Sequence, residues 1–235
     1  MSKAAATIVL VHGAWADGSS WNKVIPLLQA KGLPVVAVQL PLTSLGDDLA
    51  VTQRMISTID GPIVLVGHSW GGMAVTQAGG DPKVAALVYL SAFAPEIGES
   101  GSSLIGAHPA PPALSTFATD SAGFTYQTVE GMVSNVAPDL PEADARVLAA
   151  TQGRLAGVAF GQTTTAAAWK TKPSWFIVTI GDRVVSAELQ RAEAERMAAK
   201  VTVLNASHMS LLSQPDKVAA VIEEAAAAVN AMAAA

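Results

Sequence analysis

The sequence predicts an α/β fold in which helices cover both faces of one parallel sheet. Short runs of β-branched and aliphatic residues, such as 7–11 and 63–66, alternate with segments whose apolar residues recur at helical spacing. Continuous apolar runs of this length are typical of strands that are buried on both faces. A chain of 235 residues, of which 51% are hydrophobic and 14% charged, suits a single domain, so we expect 1–235 to form one.

The alternation of strands and helices runs through most of the chain. The predicted strands are apolar and end in Gly, Pro, Asn or Asp, and they are 7–11, 34–38, 63–66, 84–90, 174–180 and 201–204. Helical spacing occurs at 21–31, at 45–59, directly after the third strand, at 187–199 and from 217 onward. In the helix at 187–199, Glu and Arg recur three and four residues apart, which indicates a solvated face.

The regular alternation is lost between the fourth and fifth strands. Residues 95–172 hold a proline cluster beside His108 and short helical patterns, and we interpret this insertion as a helical lid over the site. A structural arm that touches no substrate is the alternative, and His108 is expected to be exposed. Five aromatic residues would give the lid an apolar lining if they face inward, and these are Phe117, Phe124, Tyr126, Phe160 and Trp169.

Composition and charge exclude several classes of protein. A net charge of -5 gives no basic surface for nucleic acid or for an anionic membrane. The sequence has no cysteine, which excludes disulfides, thiolate metal sites and a cysteine nucleophile. Residues 1–6 have no signal-peptide pattern, and no run approaches the ~18 apolar residues of a membrane span. We therefore expect a cytoplasmic protein.

A serine lies on the predicted turn between the third strand and the following helix. In Gly67-His68-Ser69-Trp70-Gly71 the glycines stand two residues before and two after that serine. This is the pattern of a nucleophile elbow, in which the serine has a strained backbone conformation and the flanking residues approach so closely that a Cβ would clash. The pattern predicts Ser69 as a nucleophile at the carboxyl edge of the sheet.

A nucleophilic serine needs an imidazole to accept its proton and a carboxylate to orient that imidazole. Asp182 follows the fifth strand and His208 follows the sixth, so both are expected at the same sheet edge as Ser69. The chain order Ser, Asp, His is the order of this fold. The alternatives are that Asp182 is only a turn residue and that His208 is a structural histidine. Glu96, after the fourth strand, is the competing acid.

Two backbone amides are predicted to form an oxyanion hole. One is the N–H of Trp70, directly after the nucleophile, and the other is the N–H of Ala14, in the loop after the first strand. Trp15 and Trp70 would then stand near the acyl side of the pocket, although each fits a core position equally well. His68 is expected to point away from the pocket and to have a structural role.

These motifs together resemble the α/β-hydrolase superfamily. The resemblance covers the whole chain and rests on four segments, Val11-His12-Gly13-Ala14-Trp15, Gly67-His68-Ser69-Trp70-Gly71-Gly72, Gly181-Asp182-Arg183 and Ser207-His208-Met209. They look most like the small-esterase and hydroxynitrile-lyase branch, which includes plant methyl esterases. The resemblance implies a six-stranded sheet in the order 2-1-3-4-5-6, with Ser69 as nucleophile, His208 as general base and acid, and Asp182 as the orienting acid.

Two positions separate the chemistries of that branch. Its lyases resemble each other in having a threonine where this chain has Gly13 and a lysine where it has Met209. Both are absent, which favours a serine esterase that cleaves a small apolar ester, lactone or thioester through an acyl-enzyme, without metal or organic cofactor. The predicted pocket residues are Trp15, Gly13 and Met209. A carbon-carbon lyase and a non-catalytic small-molecule binder of the same fold stay open as alternatives.

Overall fold

A parallel sheet forms the centre of the structure, a computed structural model that describes residues 5–234. In chain order the strands of these residues are Thr7–Val11 (β1), Val35–Val38 (β2), Ile63–His68 (β3), Val84–Leu90 (β4), Phe117–Thr119 (β5), Phe124–Gln127 (β6), Leu155–Ala156 (β7), Ser174–Thr179 (β8) and Lys200–Leu204 (β9). Six of them form one sheet in the order β2-β1-β3-β4-β8-β9, and all neighbours pair in parallel. Counted within this sheet the order is 2-1-3-4-5-6, which confirms the predicted fold.

Burial along the strands follows their position in the sheet. Every residue of β1 and β3 is buried, as expected for central strands covered on both faces by helices. The edge strands β2 and β9 are largely half-buried or exposed. Because all six strands are parallel, the carboxyl ends of β3, β8 and β9 lie at the same edge of the sheet, and the predicted catalytic residues follow these ends.

Helices connect the strands. They are Ile25–Ala30 (α1), Leu45–Ser57 (α2), Gly71–Ala78 (α3), Gly101–Gly106 (α4), Val129–Gly131 (α5), Glu142–Thr151 (α6), Ala187–Arg196 (α7), Ser210–Ser213 (α8) and Pro215–Ala234 (α9). Serine side chains cap several of them: the hydroxyl of Ser44 accepts the N–H of Asp47 before α2, and that of Ser186 accepts the N–H of Leu189 before α7.

The first predicted helix, 21–31, is shorter than its spacing suggested. Residues Gly18–Trp21 form a 3-10 turn, and α1 begins only at Ile25. Pro26 lies in the first turn of α1, where its missing N–H costs nothing, whereas in a longer helix it would have left a carbonyl of the preceding turn without its donor. At the other end Gly32 has a φ of 74°, as expected for a residue that ends a helix.

The insertion between β4 and β8 is not purely helical, so that part of the lid prediction is wrong. It contains α4 to α6, and also an antiparallel sheet in the order β5-β6-β7. The turn between β5 and β6 explains the hairpin: Gly123 has a φ of 85°, and Asp120 Oδ1 accepts the N–H groups of Ala122 and Phe124, both at 3.0 Å. The five residues Met132–Val136 form a π-helical extension of α5.

Hydrogen bonds tie the insertion to the loops after β8 and β9. The N–H of Ala113 donates to the carbonyl of Arg183 at 2.9 Å. Asp139 Oδ2 accepts the N–H of Ser207 at 2.9 Å, and the hydroxyl of Ser207 donates to Asp139 Oδ1. The insertion thus contacts the loop of Asp182 and the loop of His208 directly.

The helix α7 has the predicted solvated face, but its opposite face buries two polar side chains. Gln190 and Glu193 are buried together with Leu189 and Ala194, whereas Glu188 is exposed. The three- and four-residue spacing of charged residues indicates an exposed face but does not identify the polar residues that lie on the opposite one. Within the described residues no helix is long and apolar enough to cross a membrane.

Candidate active site

Ser69 lies on the turn between β3 and α3 with a φ of 53°, a left-handed conformation that a residue other than glycine rarely adopts. The reason for its flanking glycines differs from the expected one. A Cβ on Gly71 would lie 2.6 Å from the carbonyl oxygens of Val11 and His12, and one on Gly67 would lie 3.0 Å from Gly72. Glycine at these two positions thus lets the turn pack closely on the end of β1 and on α3. The two glycines do not crowd each other.

Gly72 has the least space of these residues, because a Cβ there would overlap the carbonyl oxygen of Phe93. We expect Gly72→Ala to lower the free energy of unfolding by about 2 to 4 kcal/mol, since backbone must move to admit the methyl group. Urea unfolding would measure this. Gly46→Ala in α2, where the nearest atom would be Ser44 Oγ at 3.7 Å, is the control and should change stability by less than about 1 kcal/mol. Equal values for both variants would contradict the prediction.

The imidazole of His208 and the carboxylate of Asp182 form a buried pair. His208 Nδ1 lies 2.8 Å from Asp182 Oδ2, and the two side chains are 3% and 0% exposed. Because a carboxylate accepts, Nδ1 carries the hydrogen, and Nε2 is left as the basic nitrogen. Asp182 Oδ1 accepts the N–H groups of Val184 at 2.8 Å and Val185 at 3.0 Å, which fixes the carboxylate in the loop after β8.

The link between Ser69 and His208 is a prediction that rests on their common position at the sheet edge. Among the described residues Ser69 Oγ makes no side-chain hydrogen bond, and a short contact with His208 Nε2 is expected to form when substrate is bound. The ring of His68 packs on that of His208 with centroids 4.6 Å apart. His68 Nε2 lies 3.0 Å from the carbonyl of His208, so His68 supports the backbone of the histidine loop.

The two amides predicted for the oxyanion hole lie beside Ser69. Ala14 and Trp70 line the same cavity as Ser69, and a Cβ on Gly13 would lie 2.7 Å from Ser69 Cβ. Neither amide donates a hydrogen bond to another of the described residues. His12 holds the loop of Ala14: its Nδ1 lies 2.8 Å from the carbonyl of Gly13, and its Nε2 accepts the N–H of Leu40 at 2.9 Å. Burial lowers the pKa of His12, so this ring stays neutral.

Two adjacent cavities share part of their lining, and Ser69 lines the smaller one. The inner chamber, which contains Ser69, Ala14 and Trp70, has a volume of only about 20 Å³, whereas the outer groove has about 470 Å³. A chamber of that size holds about one water. Four side chains line both cavities and lie between them, and we call this group the neck: Trp15, Ile105, Leu114 and Phe160. Neither cavity is lined by a charged side chain of the described residues.

The structure separates the predicted pocket residues into two groups. Trp15 lines both cavities, and Phe117 lines the groove. Met209 is buried and lies outside the lining of either cavity, as does Gly13 behind Ser69. Of the other lid aromatic residues, Phe160 lines both cavities as part of the neck. The other three, Phe124, Tyr126 and Trp169, line neither.

The alternative residues lie elsewhere. Glu96 pairs with Lys170 at 2.6 Å, away from His208, and His108 is half-buried within the lid. Burial lowers the pKa of His68 well below its ordinary value, so this histidine is neutral. No group of three or more His, Asp or Glu side chains in the described part of the chain is arranged to hold a metal ion.

Comparison with known proteins identifies the family of the chain. The model of the "Alpha/beta hydrolase family" matches residues 8–221. The chain belongs to the α/β-hydrolase family. "Probable hydrolase R7" of Phoma sp. is 28% identical over 93% of this chain and 97% of its own. Methylesterase 1 of Arabidopsis thaliana is 33% identical over 40% of this chain and 42% of its own.

A solved structure has the same fold as this α/β hydrolase. The crystal structure of polyneuridine aldehyde esterase superposes with a TM-score of 0.81, at 23% identity, and covers 94% of this chain and 99% of that chain. The similar proteins are hydrolases and esterases, and they confirm the predicted resemblance to the branch that includes plant methyl esterases. They support hydrolase chemistry for this chain.

Two buried acids of this α/β hydrolase were not foreseen from its sequence. Asp48 Oδ2 accepts the indole N–H of Trp70 at 2.8 Å, and Oδ1 accepts the N–H of Leu42 at 2.8 Å. Burial raises the pKa of Asp48 to about 6. Asp48 anchors the side chain of Trp70 and so helps to hold the turn after the nucleophile. In the sequence it is only an acid in the first turn of a helix, a common position that gives no sign of burial.

The second buried acid, Glu193 on α7, supports the chain after β4. Its Oε1 accepts the N–H of Ala94 at 2.8 Å, and its Oε2 has no hydrogen-bond partner among the described residues. Burial raises the pKa of Glu193 to about 8, so the carboxyl is protonated at neutral pH. The folded chain therefore binds a proton that the unfolded chain releases above pH ~4.5.

The stabilisation from protonated Glu193 is present below pH ~4.5 and is lost as pH rises toward about 8. Glu193→Gln cannot ionise, so we expect its stability relative to wild type to rise between pH 6.5 and 8.5, by up to about 1.4 kcal/mol per pH unit. Urea unfolding at both pH values would measure this. Glu195→Gln, an exposed change on the same helix, is the control and should show no such trend. A stability difference for Glu193→Gln that does not change with pH would contradict the prediction.

Proposed function

We propose that this protein is a serine hydrolase that cleaves an uncharged, apolar carboxylic ester through an acyl-enzyme intermediate. The observation that carries the proposal is the buried contact of 2.8 Å between His208 Nδ1 and Asp182 Oδ2, at the sheet edge where Ser69 stands on its strained turn. Such a pair gives a neutral imidazole whose free nitrogen is a general base. Esterases among the similar proteins support this reaction.

The proposed reaction has two halves. Ser69 Oγ attacks the ester carbonyl while His208 Nε2 accepts its proton, and the N–H groups of Ala14 and Trp70 stabilise the oxyanion. His208 then gives the proton to the leaving alkoxide, and the acyl group stays on Ser69. Water, deprotonated by His208, attacks the acyl-enzyme, and the carboxylic acid leaves as Ser69 regains its proton. A lactone or thioester would react by the same steps without a cofactor.

The cavities support an asymmetric substrate. The chamber of about 20 Å³ at Ser69 admits one small group, whereas the groove of about 470 Å³ has room for a larger one. Among residues 5–234, no charged side chain lines either cavity and could bind a carboxylate or ammonium group on the substrate. The preferred esters therefore carry a small group on one side of the ester bond and a larger apolar group on the other.

Labelling of Ser69 by a fluorophosphonate tests the proposed mechanism. A small alkyl fluorophosphonate should transfer its phosphonyl group to Ser69 of the folded wild-type protein with loss of fluoride, because only an activated serine attacks the phosphorus rapidly. Ser69→Ala should stay unlabelled. Peptide mass spectrometry would locate the adduct. If folded wild-type protein is not labelled, or if the label is found on another serine, the proposal is wrong.

A matched set of esters tests the asymmetric substrate. We expect acetates of large apolar alcohols or methyl esters of large apolar acids to be hydrolysed with kcat/KM at least tenfold above esters that are large on both sides. Initial rates at equal concentrations would give the order, and Phe160→Ala should reduce the discrimination by widening the neck. Equal rates for esters of both kinds would exclude the asymmetric site while leaving the acyl-enzyme proposal intact.

A hydroxynitrile-lyase reaction is the competing chemistry for this site. Gly13 stands where the lyases have threonine, and a Cβ there would lie 2.7 Å from Ser69 Cβ. Met209 stands where they have lysine, and it is buried outside the cavities. Both residues favour hydrolysis. Release of cyanide from mandelonitrile by wild type, absent in Ser69→Ala, would instead establish the lyase reaction, and binding without turnover of any ester would indicate a binder.

A further inference from the structure

Gln190 on α7 is buried, with no exposed area, directly beside the acid of the proposed triad. Its Nε2 donates to Asp182 Oδ2 at 2.9 Å and to the carbonyl of Val185 at 2.8 Å. Its Oε1 accepts the backbone N–H of Thr179 at 2.9 Å. These partners fix the orientation of the amide, because a backbone N–H requires an acceptor and a carbonyl requires a donor.

Gln190 and His208 donate to the same carboxylate oxygen. Asp182 Oδ2 accepts Nδ1–H of His208 at 2.8 Å, Nε2–H of Gln190 at 2.9 Å and the hydroxyl of Thr179 at 3.1 Å. The amide also joins the last residue of β8, Thr179, to Val185 in the loop that follows. Gln190 thus spans the segment in which Asp182 lies and fixes one oxygen of its carboxylate.

We infer that Gln190 is a positioning residue of the catalytic machinery, which holds Asp182 Oδ2 opposite His208 and withdraws part of its negative charge. The inference rests on the proposed function. Two consequences distinguish it from a merely structural role. Loss of the amide donor leaves the carboxylate less well oriented, which lowers kcat. The charge on Oδ2 is then shared with fewer donors, so the carboxylate stabilises the imidazolium of His208 more strongly.

The second consequence is seen in the pH dependence. A more stable imidazolium means that His208 loses its proton at higher pH, so the acidic limb of the pH–rate profile should move upward. A residue that only fills space in the core would lower the yield or the stability of the protein and leave this limb where it is. The position of the limb is therefore the decisive measurement.

Two substitutions test the inference. Gln190→Leu removes both N–H groups of the amide. Gln190→Glu keeps the shape and the acceptor for Thr179 N–H, and because two adjoining buried carboxyl groups do not both ionise, the new carboxyl is protonated and gives Asp182 Oδ2 one donor again. We expect Gln190→Leu to lower kcat about 10- to 100-fold with KM changed less than about threefold, a size usual for partners of functional ligands, and to raise the acidic limb. Gln190→Glu should recover part of kcat and bring the limb back toward that of wild type. Gln127→Leu, the same change at a buried glutamine of the lid, is the matched control and should leave the limb unmoved.

The rate of Ser69 labelling by a fluorophosphonate, measured from pH 5 to 9, is the readout that does not depend on the substrate. Wild type that is labelled, with folded Gln190→Leu labelled at the same rate and with the same acidic limb, would overturn the role of Gln190 alone. Wild type that is not labelled at any pH would overturn the proposed function, and the inference with it. A limb that moves equally in Gln127→Leu would show a general effect of core substitutions and would also reject the inference.

Discussion

Ser69→Ala is expected to lower kcat for p-nitrophenyl acetate by about 10⁶-fold, because without its hydroxyl the site has no nucleophile for His208 to activate. Residual hydrolysis above the rate in water would come from the amides of Ala14 and Trp70. Stopped-flow or long-time absorbance assays on purified protein would measure both values. Alanine has a Cβ as serine does, so the φ of 53° costs both residues about the same. The free energy of unfolding of the variant should therefore lie within about 1 kcal/mol of that of wild type.

Ser115→Ala is the control for this experiment, because Ser115 is an exposed serine that bonds only to the carbonyl of Pro112 at 2.8 Å. It should keep the activity of wild type. A Ser69→Ala protein that retains more than a hundredth of wild-type kcat would show that the reaction does not pass through an acyl-Ser69 intermediate. The optimum of a chain-length series on wild type would at the same time measure the room beyond the neck.

Asp182→Asn is expected to lower kcat by about 10⁴-fold, with a smaller effect on KM. An asparagine amide keeps the shape of the carboxylate but offers a donor as well as an acceptor to His208, so it no longer selects the tautomer with hydrogen on Nδ1 and no longer stabilises the imidazolium. It would also lose the acceptor charge toward the N–H groups of Val184 and Val185. Steady-state kinetics with the same ester would measure the loss.

Glu96→Gln is the matched control for Asp182→Asn, because it also replaces a carboxylate by an amide. Glu96 is the competing acid in the sequence, and in the structure it pairs with Lys170. We expect less than a threefold change in kcat, since an ion pair between two partly exposed side chains contributes little. If the two variants show the reverse order, Glu96 and not Asp182 is the acid of the triad, and the loop after β8 has another role.

The parts of the fold that were predictable from sequence are those set by local pattern. The apolar runs of β1 and β3 and the glycines around Ser69 locate a strand, a turn and a helix without knowledge of the rest of the chain. Parallel topology then brings the residues that follow β8 and β9 to the same edge as Ser69. The placement of Asp182 beside His208 follows from these two facts.

The polar residues that support the site were not predictable because their burial depends on tertiary packing. Gln190 and Glu193 lie on a helix whose spacing of charges is that of a solvated face, and Asp48 lies in the first turn of another. Each is buried against a different loop, and no local pattern distinguishes such a residue from its exposed neighbours. The hairpin of the lid was missed for a similar reason, since β5 has only three residues and shows no clear alternation.

The pairing of β4 with β8 has a consequence for how this chain acquires new substrates. The chain leaves the sheet after Leu90 and re-enters it on the adjacent strand at Ser174, which is the partner of Leu87. Closing an insertion between points this near to each other costs entropy that grows only slowly with its length. Exchange of residues 95–172 for a shorter or longer segment would thus remodel the binding groove while the strands keep their register. The new segment would have to keep two contacts, that of Ala113 with Arg183 and that of Asp139 with Ser207, because they hold the loops of the acid and the base.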